Sequence, residues 1–285
     1  MRVNAFFPTR DIGGDPAKIR DWAQAVEDLG YAYIEVPDHV FGATARDGWT
    51  PLYNERDPFH ETFTTLAFLA AVTKTIGLSS GILILPQRQT GVVAKQAAEV
   101  DILSGGRLRL GVGVGWNHVE YQALGAEWKT RGAREGEQVE VLRRLWSEDL
   151  VTFAGRFHDL HEVSIVPPPV QRPIPVWFGG SSDEVIKRAA RLGDGWMPIM
   201  APGDEAAAKL AALRGHLREF GRDPAAFGIE AWLRMKEPDP QLWAAAADGW
   251  HQLGAEMVMF YPMYRIPTFD AQIETLRRFK EVAGG

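Results

Sequence analysis

The chain has 285 residues, of which 46% are apolar and 24% are charged, and its net charge is −6 because 37 Asp and Glu residues outnumber 31 Lys and Arg residues. This composition is typical of a globular enzyme, and the absence of a Lys and Arg cluster excludes a protein that binds a nucleic-acid backbone. Cysteine is absent, which excludes disulfides and thiol nucleophiles, and no apolar run is long enough for a signal peptide or a membrane span, so we expect a cytoplasmic protein.

Eight short apolar segments have the composition of buried β-strands, and most of them are separated by segments with a helical period. The first helical segment, residues 19–30, places Ile19, Trp22 and Val26 on one face. Alternation of strand and helix predicts parallel strands, and eight such units in a chain of this size predict an α/β fold, a (β/α)₈ TIM barrel in one domain of residues 1–285. The predicted strands are residues 3–7, 32–36, 76–85, 107–114, 175–180, 195–200, 227–234 and 256–261, and the further helices are residues 64–74, 92–103, 184–193, 207–221, 242–254 and 269–280.

Two connections are longer than a helix requires. Residues 38–60 follow the second strand, and residues 116–174 follow the fourth. The second insertion contains an amphipathic helix around Val139 to Trp146 and a hairpin-like segment at residues 151–160. Both insertions leave the carboxyl ends of strands, where TIM barrels place their active sites, so we expect them to form a lid, at about residues 116–174, or binding elements of the site.

The fourth strand carries glycine at alternate positions, Gly111, Gly113 and Gly115, within the sequence RLRLGVGVGWN. Glycine weakens a strand, so such a run indicates a place where the backbone closely approaches something else, for example a ligand. A dinucleotide-binding fingerprint is excluded, because Trp116 stands where its last glycine would be and no acidic residue follows at the required distance.

Three further candidates lie at strand ends. Asp38 and His39 end the second strand, where a histidine can donate a proton, bind a polar cofactor edge or only cap a loop. Gly81 and Ile82 lie inside the third strand, where a lone glycine indicates a bulge. The segment Gly179 to Ser182 ends the fifth strand and opens a helix, so its N–H groups can bind an anion or serve only as a helix cap.

A metal site is not predicted. His158 and His161 have the spacing of a ligand pair, but they lie in the hairpin segment rather than on a helix, and no third ligand is apparent. A usable site needs at least three converging ligands.

Several linked segments resemble the luciferase-like monooxygenase superfamily, and within it the branch that uses the deazaflavin coenzyme F420. The resemblance is carried by residues 85–125, 131–160 and 175–199, which begin LPQRQTGVVAKQAAEVDILSGG, RGAREGEQVEVLRRLW and PVWFGGSSDEVIKRAARLGDGW. It implies a TIM barrel that binds F420 or, alternatively, FMN at the carboxyl ends of its strands. A homodimer, a small-molecule substrate and a flavin or F420 reductase as a possible partner are further implications.

The resemblance also implies roles for individual residues. Gly81 and Ile82 match a bulge with a non-prolyl cis peptide that supports the back of the cofactor ring. Asp38 and His39 match residues near the reactive face of the ring. The other matching positions are Val114, Gly115 and Trp116 beside the ring and its ribityl chain, where the alternate glycines would give the ring room, and Gly179, Gly180 and Ser181 at the phosphate.

One departure narrows the chemistry that the resemblance implies. The family's sugar-phosphate dehydrogenases carry a glutamate acid where this chain has Trp116, which disfavours sugar-phosphate oxidation and favours a more apolar substrate. The expected reaction is hydride transfer to an activated C=C or C=N bond, with His39 as first candidate for the proton donor and Tyr121, Glu120 and His60 as further ones. Two alternatives stay open: an FMN-dependent monooxygenase served by a separate reductase, and a protein that binds the cofactor without turnover.

Overall fold

The helices begin where short polar side chains precede the apolar periodicity. In the computed structural model, Asp15 accepts a hydrogen bond from the N–H of Ala17 at 2.9 Å and Pro16 occupies the first turn of α1. Ser182 and Thr268 cap later helices in the same way. The structure describes residues 1–46 and 48–284. The helices are α1 (Pro16–Asp28), α2 (Thr62–Val72), α3 (Thr90–Ser104), α4 (His118–Ala123), α5 (Arg131–Ser147), α6 (Asp183–Leu192), α7 (Asp204–Glu219), α8 (Pro240–Gln252) and α9 (Phe269–Ala283).

The strands form a closed parallel barrel surrounded by helices, which confirms the predicted TIM barrel. Parallel pairing between β3 and β5 closes the sheet. The barrel strands are β1 (Arg2–Phe6), β2 (Tyr33–Val36), β3 (Gly77–Ser80), β4 (Leu83–Ile84), β5 (Leu108–Gly113), β8 (Val176–Gly179), β9 (Gly195–Met197), β10 (Gly228–Met235) and β11 (Met257–Pro262), and an antiparallel hairpin of β6 (Val151–Ala154) and β7 (Asp159–Val163) lies outside the barrel.

The third barrel strand is interrupted where the sequence predicted one continuous strand over residues 76–85. It is divided into β3 and β4 by Gly81 and Ile82, and the peptide bond between these two residues is cis. β3 pairs with both β2 and β5, whereas β4 pairs with β5 alone. The backbone therefore leaves the sheet for two residues at the predicted bulge and then rejoins it.

The alternate glycines of β5 accommodate this bulge. A Cβ atom on Gly111 would collide with the carbonyl oxygen of Ser80, and one on Gly113 would lie 2.7 Å from Cδ1 of Ile82. On the next strand of the barrel, a Cβ atom on Gly179 would lie 2.6 Å from Cγ2 of Ile82. The expectation that these glycines make room for a ring is therefore wrong for Gly111 and Gly113, because the interrupted strand itself fills the space.

A network of charged side chains fills the centre of the barrel. The Arg109 guanidinium pairs with Glu230 and lies 3.3 Å from Oε1 of Glu35, and Asn4 donates to Glu230 at 2.6 Å. Burial, and then the neighbouring Glu230 carboxylate, raise the pKa of Glu35 well above its ordinary value. The raised pKa favours the neutral form of Glu35, and Glu230 is paired with Arg109, so the barrel interior can hold these groups without an uncompensated charge.

Both predicted insertions are present. The first covers residues 37–61 between β2 and α2, and the second contains α4, α5 and the β6–β7 hairpin before β8. His158 of the hairpin lies 2.8 Å from Oε1 of Glu137 and 2.5 Å from the Thr90 hydroxyl, so it attaches the hairpin to α5 and α3. His161 is exposed and contacts Asp159, and no group of three or more metal-ligating side chains is found in the described part of the chain.

Candidate active site

A cavity opens at the carboxyl ends of the strands, beneath the first insertion. Its walls are mostly apolar and aromatic, and they include Ile82, Ile84, Trp116 and Trp232. The first insertion contributes Tyr53 to the lining. The remaining lining residues are Phe6, Pro37, Asp38, His39, Leu52, Phe59, Gly81, Gly115, Ile199, Arg234 and Tyr261. An apolar cavity with a few polar groups at this face of a TIM barrel is the expected place for a ligand.

Glu120 holds the imidazole of His39 at the cavity. Its Oε2 atom lies 3.0 Å from Nδ1 of His39, and its Oε1 atom accepts hydrogen bonds from the N–H groups of Val40 and Phe41 at 2.6 and 3.1 Å. Burial by itself would raise the pKa of Glu120, but the hydrogen bond and charge of His39 and the two N–H donors outweigh it, so the pKa lies below its ordinary value.

An ionised Glu120 carboxylate can only accept, so Nδ1 of His39 carries the proton of that hydrogen bond. Among residues 1–46 and 48–284, no side chain or backbone group hydrogen-bonds Nε2 of His39. The His39 ring packs between Phe59 and Trp116, at centroid distances of 4.8 and 5.5 Å. The ring is therefore fixed in orientation and tautomer, with its second nitrogen available to a ligand in the cavity.

Asp38 attaches the end of β2 to the interrupted strand. Its carboxylate accepts hydrogen bonds from the N–H of Ile84 at 2.9 Å, the Thr62 hydroxyl at 3.1 Å and the Arg88 guanidinium at 2.7 Å. Arg88 also pairs with Glu61 at 3.1 Å, and the carboxylates raise its pKa against the effect of burial. Through these contacts Asp38 fixes the position of the interrupted strand, so it acts as a positioning residue. Arg88 forms ion pairs with the Asp38 and Glu61 carboxylates. Direct contact of Asp38 with a cofactor stays a prediction.

The structure brings six of the predicted site residues to the cavity and leaves five outside its lining. Asp38, His39, Gly81, Ile82, Gly115 and Trp116 line it. The His60 ring packs on Phe7 at 5.7 Å instead. Val114 also lies outside the lining, and its carbonyl accepts a hydrogen bond from the Tyr121 hydroxyl at 2.7 Å. That bond uses the Tyr121 proton, and burial raises the pKa of the hydroxyl, so Tyr121 is not available as a proton donor. Gly179 ends β8, and Gly180 and Ser181 connect it to Ser182, the N-cap of α6.

One N–H group of the segment predicted to bind the phosphate is already bonded within the protein, and phosphate binding there stays a prediction. Gly180 has φ +120°, a conformation that side chains rarely adopt, and its N–H and carbonyl are bonded to Met197 and Trp196. The Ser181 hydroxyl accepts from the N–H of Ile199 at 3.3 Å, which leaves its own proton free to donate. The segment precedes the ten-residue helix α6, whose N-terminus favours an anion.

Sequence reasoning missed three polar groups of the cavity, the hydroxyls of Tyr53 and Tyr261 and the Arg234 guanidinium, and the indole N–H of Trp232 is a fourth polar group there. Trp232 is 7% exposed and its Nε1 atom has no hydrogen-bond partner in the described part of the chain. Arg234 and Tyr261 lie near the ends of β10 and β11. Their positions near the ends of strands could have identified both as site residues from the sequence.

The sequence profile of the luciferase-like monooxygenase family matches residues 1–283. The chain belongs to this family. An uncharacterized protein of Mycobacterium tuberculosis is 35% identical over 70% of this chain and 71% of its own length. An F420-dependent glucose-6-phosphate dehydrogenase of Kineococcus radiotolerans is 31% identical over 73% of this chain and 60% of its own length. An FMNH₂-dependent dimethylsulfone monooxygenase of Pseudomonas putida is 32% identical over 71% of this chain and 55% of its own length.

The fold of the chain is shared with a solved structure, the coenzyme F420-dependent tetrahydromethanopterin reductase of Methanopyrus kandleri. The two superpose with a TM-score of 0.79 over 97% of each chain, at 15% identity. Relatives in this family thus include proteins named for F420 and proteins named for FMN. No helix in the described residues combines the length and apolarity that a bilayer span requires.

Proposed function

We propose that the protein is an F420-dependent oxidoreductase that transfers a hydride between C5 of the deazaflavin and an apolar organic substrate with an activated C=C or C=N bond. The observation that carries the proposal is the His39–Glu120 pair at the cavity, with a distance of 3.0 Å between Nδ1 and Oε2. A carboxylate that fixes the tautomer of an imidazole is the arrangement by which enzymes position a proton donor or acceptor.

The residues at the cavity fit a flat, mostly apolar ring. Ile82 and Ile84 present aliphatic surface beside the interrupted strand, and Gly81 and Gly115 leave backbone without side chains in the lining. The indole Nε1 of Trp232 is buried and lacks a partner in the described residues, so it offers a hydrogen-bond donor to a polar edge of the ring. Ser181 and the N-terminus of α6 would hold the phosphate.

A bound, reduced deazaflavin supplies a hydride and reacts poorly with oxygen, so the protein contributes position, a proton and exclusion of water. Asp38 keeps the bulge in register by its bond to the N–H of Ile84. Nε2 of His39 is the atom at which the imidazole can give up or take a proton, while the bond between Nδ1 and Glu120 fixes the ring. Trp116, Tyr53 and Phe59 line the cavity, and their aromatic rings would help to exclude water from a bound cofactor.

A sugar phosphate is not the proposed substrate, although one relative is named for glucose-6-phosphate. A phosphate dianion binds where several cations or N–H donors converge. Arg234 is the cation in the lining of this cavity, as far as the described residues show, and Trp116 adds an aromatic wall. An apolar substrate that lies against Trp116 fits these walls better.

An FMN-dependent monooxygenase is the second candidate, and the dimethylsulfone monooxygenase relative favours it. Under that alternative a separate reductase supplies the reduced flavin. With either cofactor, the resemblance to the family supports a homodimer as part of the proposal. The molar mass, measured by light scattering during size-exclusion chromatography, tests that part.

The deciding experiment is a parallel titration of the purified apoprotein with F420 and with FMN, followed by the fluorescence of the ring. We expect micromolar binding of F420 and weaker binding of FMN, followed by oxidation of reduced F420 when conjugated carbonyl compounds or imines are added. Preference for FMN would contradict the proposal and support the monooxygenase. Tight binding of F420, with no oxidation by any compound of either class, would support a protein that only binds the cofactor.

A further inference from the structure

The hydroxyl groups of Tyr53 and Tyr261 hydrogen-bond each other at the wall of the cavity. We propose that this pair, with Arg234 beside it, is the binding site for the oxygen of an α,β-unsaturated carbonyl substrate. The inference rests on the proposed function and goes further, because it selects conjugated carbonyl compounds over imines. It assigns a role to three residues that the family resemblance did not point to.

The two tyrosine hydroxyls together can donate one hydrogen bond to a ligand. Two tyrosine hydroxyls carry two protons, and the hydrogen bond between them uses one. Within residues 1–46 and 48–284, neither oxygen has another hydrogen-bond partner. One hydroxyl proton therefore has no acceptor in the protein, while both tyrosines line the cavity. A ligand oxygen in the cavity can accept that proton whichever tyrosine carries it.

The aromatic walls hold the pair in place. The Tyr261 ring contacts Phe6 at a centroid distance of 4.3 Å, and the Tyr53 ring contacts Phe59 at 4.9 Å and His39 at 5.5 Å. Tyr53 comes from the first insertion and Tyr261 from the end of β11. The hydroxyls are thus held on rigid side chains beside the proposed proton donor, with little rotational freedom to lose when a ligand binds.

The charges around the tyrosine pair favour a hydrogen bond from it to a negatively charged ligand oxygen. Burial, and then the neighbouring Tyr261, raise the pKa of Tyr53, so the hydroxyl keeps its proton across the working range of an enzyme. Arg234 also lines the cavity, and its Nε atom contacts the sulfur of Met263 at 3.2 Å. No carboxylate pairs with Arg234 in the described part of the chain. Its charge is therefore available to an oxygen that becomes negative.

The chemistry of a conjugated carbonyl needs such a site. When the β-carbon of the C=C bond takes up a hydride from a reduced deazaflavin, the π electrons move to the carbonyl oxygen as an enolate. The α-carbon then takes a proton from His39, the C=O bond re-forms, and the cofactor is left oxidised. Negative charge appears on oxygen in between, where the tyrosine hydroxyl and Arg234 stabilise it. Reduction of a protonated imine produces no negative oxygen, so it would not use this pair.

The test uses 4-nitrophenol, whose phenolate is a flat ring with a negative oxygen and absorbs at a wavelength distinct from the phenol. The native protein, with and without saturating oxidised F420, is titrated at a pH where the free probe is half ionised. We expect binding to increase the phenolate fraction. Thermal unfolding of each variant checks the fold, and Tyr264→Phe is the matched control, because Tyr264 lines the neighbouring cleft but not this cavity.

Tyr53→Phe or Tyr261→Phe alone leaves one hydroxyl with a free proton, so we expect phenolate affinity within about threefold of native. The double variant Y53F/Y261F loses the donor, and we expect affinity to fall about 10-fold or more. Arg234→Gln is expected to weaken phenolate binding but not binding of the neutral phenol. Unchanged affinity in the double variant, or a complete loss in one single variant, would overturn the shared-proton site.

The same variants separate this inference from the proposed function. Phenylalanine keeps both aromatic rings of the cavity wall and removes only the two hydroxyls, so F420 affinity in Y53F/Y261F is expected to stay close to the native value. If F420 does not bind the native protein at all, the proposed function fails, while the phenolate titration still decides whether the oxygen site exists.

Discussion

The carboxylate of Glu120 lies 3.0 Å from Nδ1 of His39, although the two residues are 81 positions apart in the chain. The carboxylate comes from the short helix α4 and the imidazole from the end of β2. Asn117 caps that helix by accepting from the N–H groups of Val119 and Glu120 at 3.1 and 3.2 Å. The second insertion thus delivers the group that orients the proposed proton donor.

Glu120→Gln tests this orienting role. An amide can present its oxygen to Val40 and Phe41, but its NH₂ group then faces the Nδ1–H of His39, so the fixed tautomer is lost. We expect turnover to fall about 10-fold or more while F420 affinity stays within about twofold of native. ¹⁵N NMR of the His39 ring nitrogens should change from one tautomer to a mixture.

Gln87→Ala is the matched control for Glu120→Gln, because Gln87 donates to the same Oε2 atom at 3.3 Å and, in the described part of the chain, makes no hydrogen bond to His39. It should leave the tautomer of His39 and the turnover unchanged. Equal losses in the two variants would assign the effect to the general packing of the loop, and a single tautomer in Glu120→Gln would contradict the role of the carboxylate.

Asp38→Asn should destabilise the fold at the interrupted strand. Asp38 is buried and its charge compensates the largely buried Arg88, so the neutral amide leaves the guanidinium with the half-exposed Glu61 as its remaining carboxylate among the described residues. We expect the free energy of unfolding, measured in urea, to fall by about 2 to 4 kcal/mol. Glu61→Gln removes the other partner of Arg88, and its expected loss is below about 1 kcal/mol. Similar losses in both variants would argue against a special role of Asp38.

Gly113→Ala should disturb the bulge without unfolding the barrel. The added Cβ atom would lie 2.7 Å from Cδ1 of Ile82, a flexible side-chain end that can move toward the cavity. We therefore expect F420 affinity, measured by ring fluorescence, to fall about 10-fold through the loss of well-packed contact. Gly91→Ala on α3 is the control, because a Cβ atom there meets nothing within 4 Å. Native affinity in Gly113→Ala would show that the ring does not depend on the position of Ile82.

The buried carboxyl of Glu135 predicts how the stability of the protein changes with pH. Burial raises its pKa to about 7, despite an ion pair with Arg188 at 2.8 Å. A raised carboxyl pKa means that the native state binds more protons than the unfolded state between the unfolded pKa and about 7. Stability therefore falls as pH rises through that window. Across this pH window, the free energy of unfolding of the native protein should fall by about 1 to 3 kcal/mol relative to that of Glu135→Gln.

Urea unfolding at a series of pH values measures this difference. Glu140→Gln on the same helix is the control, since Glu140 is exposed and pairs with Arg191 on the surface; its curve should run parallel to the native one. A native curve parallel to that of Glu135→Gln would show that Glu135 keeps an ordinary pKa.

The sequence by itself determined the barrel and the face that carries the site. Apolar runs and helical periods depend only on neighbouring residues, so the eight predicted strands agree with the barrel strands β1 to β5 and β8 to β11 apart from the interruption at Gly81. Because parallel barrel strands all end at one face, Asp38, His39 and Trp116 could be placed together from their positions at strand ends.

Only the tertiary structure decided which groups meet across the cavity. Tyr53 and Tyr261 are 208 positions apart, and one lies in an irregular insertion whose path no periodicity predicts. The glycines of β5 indicated a close approach, but only the packing identified the approaching group as Ser80 and Ile82. Which side chain carries a free proton follows from distances between atoms of remote segments, and a linear sequence does not contain these distances.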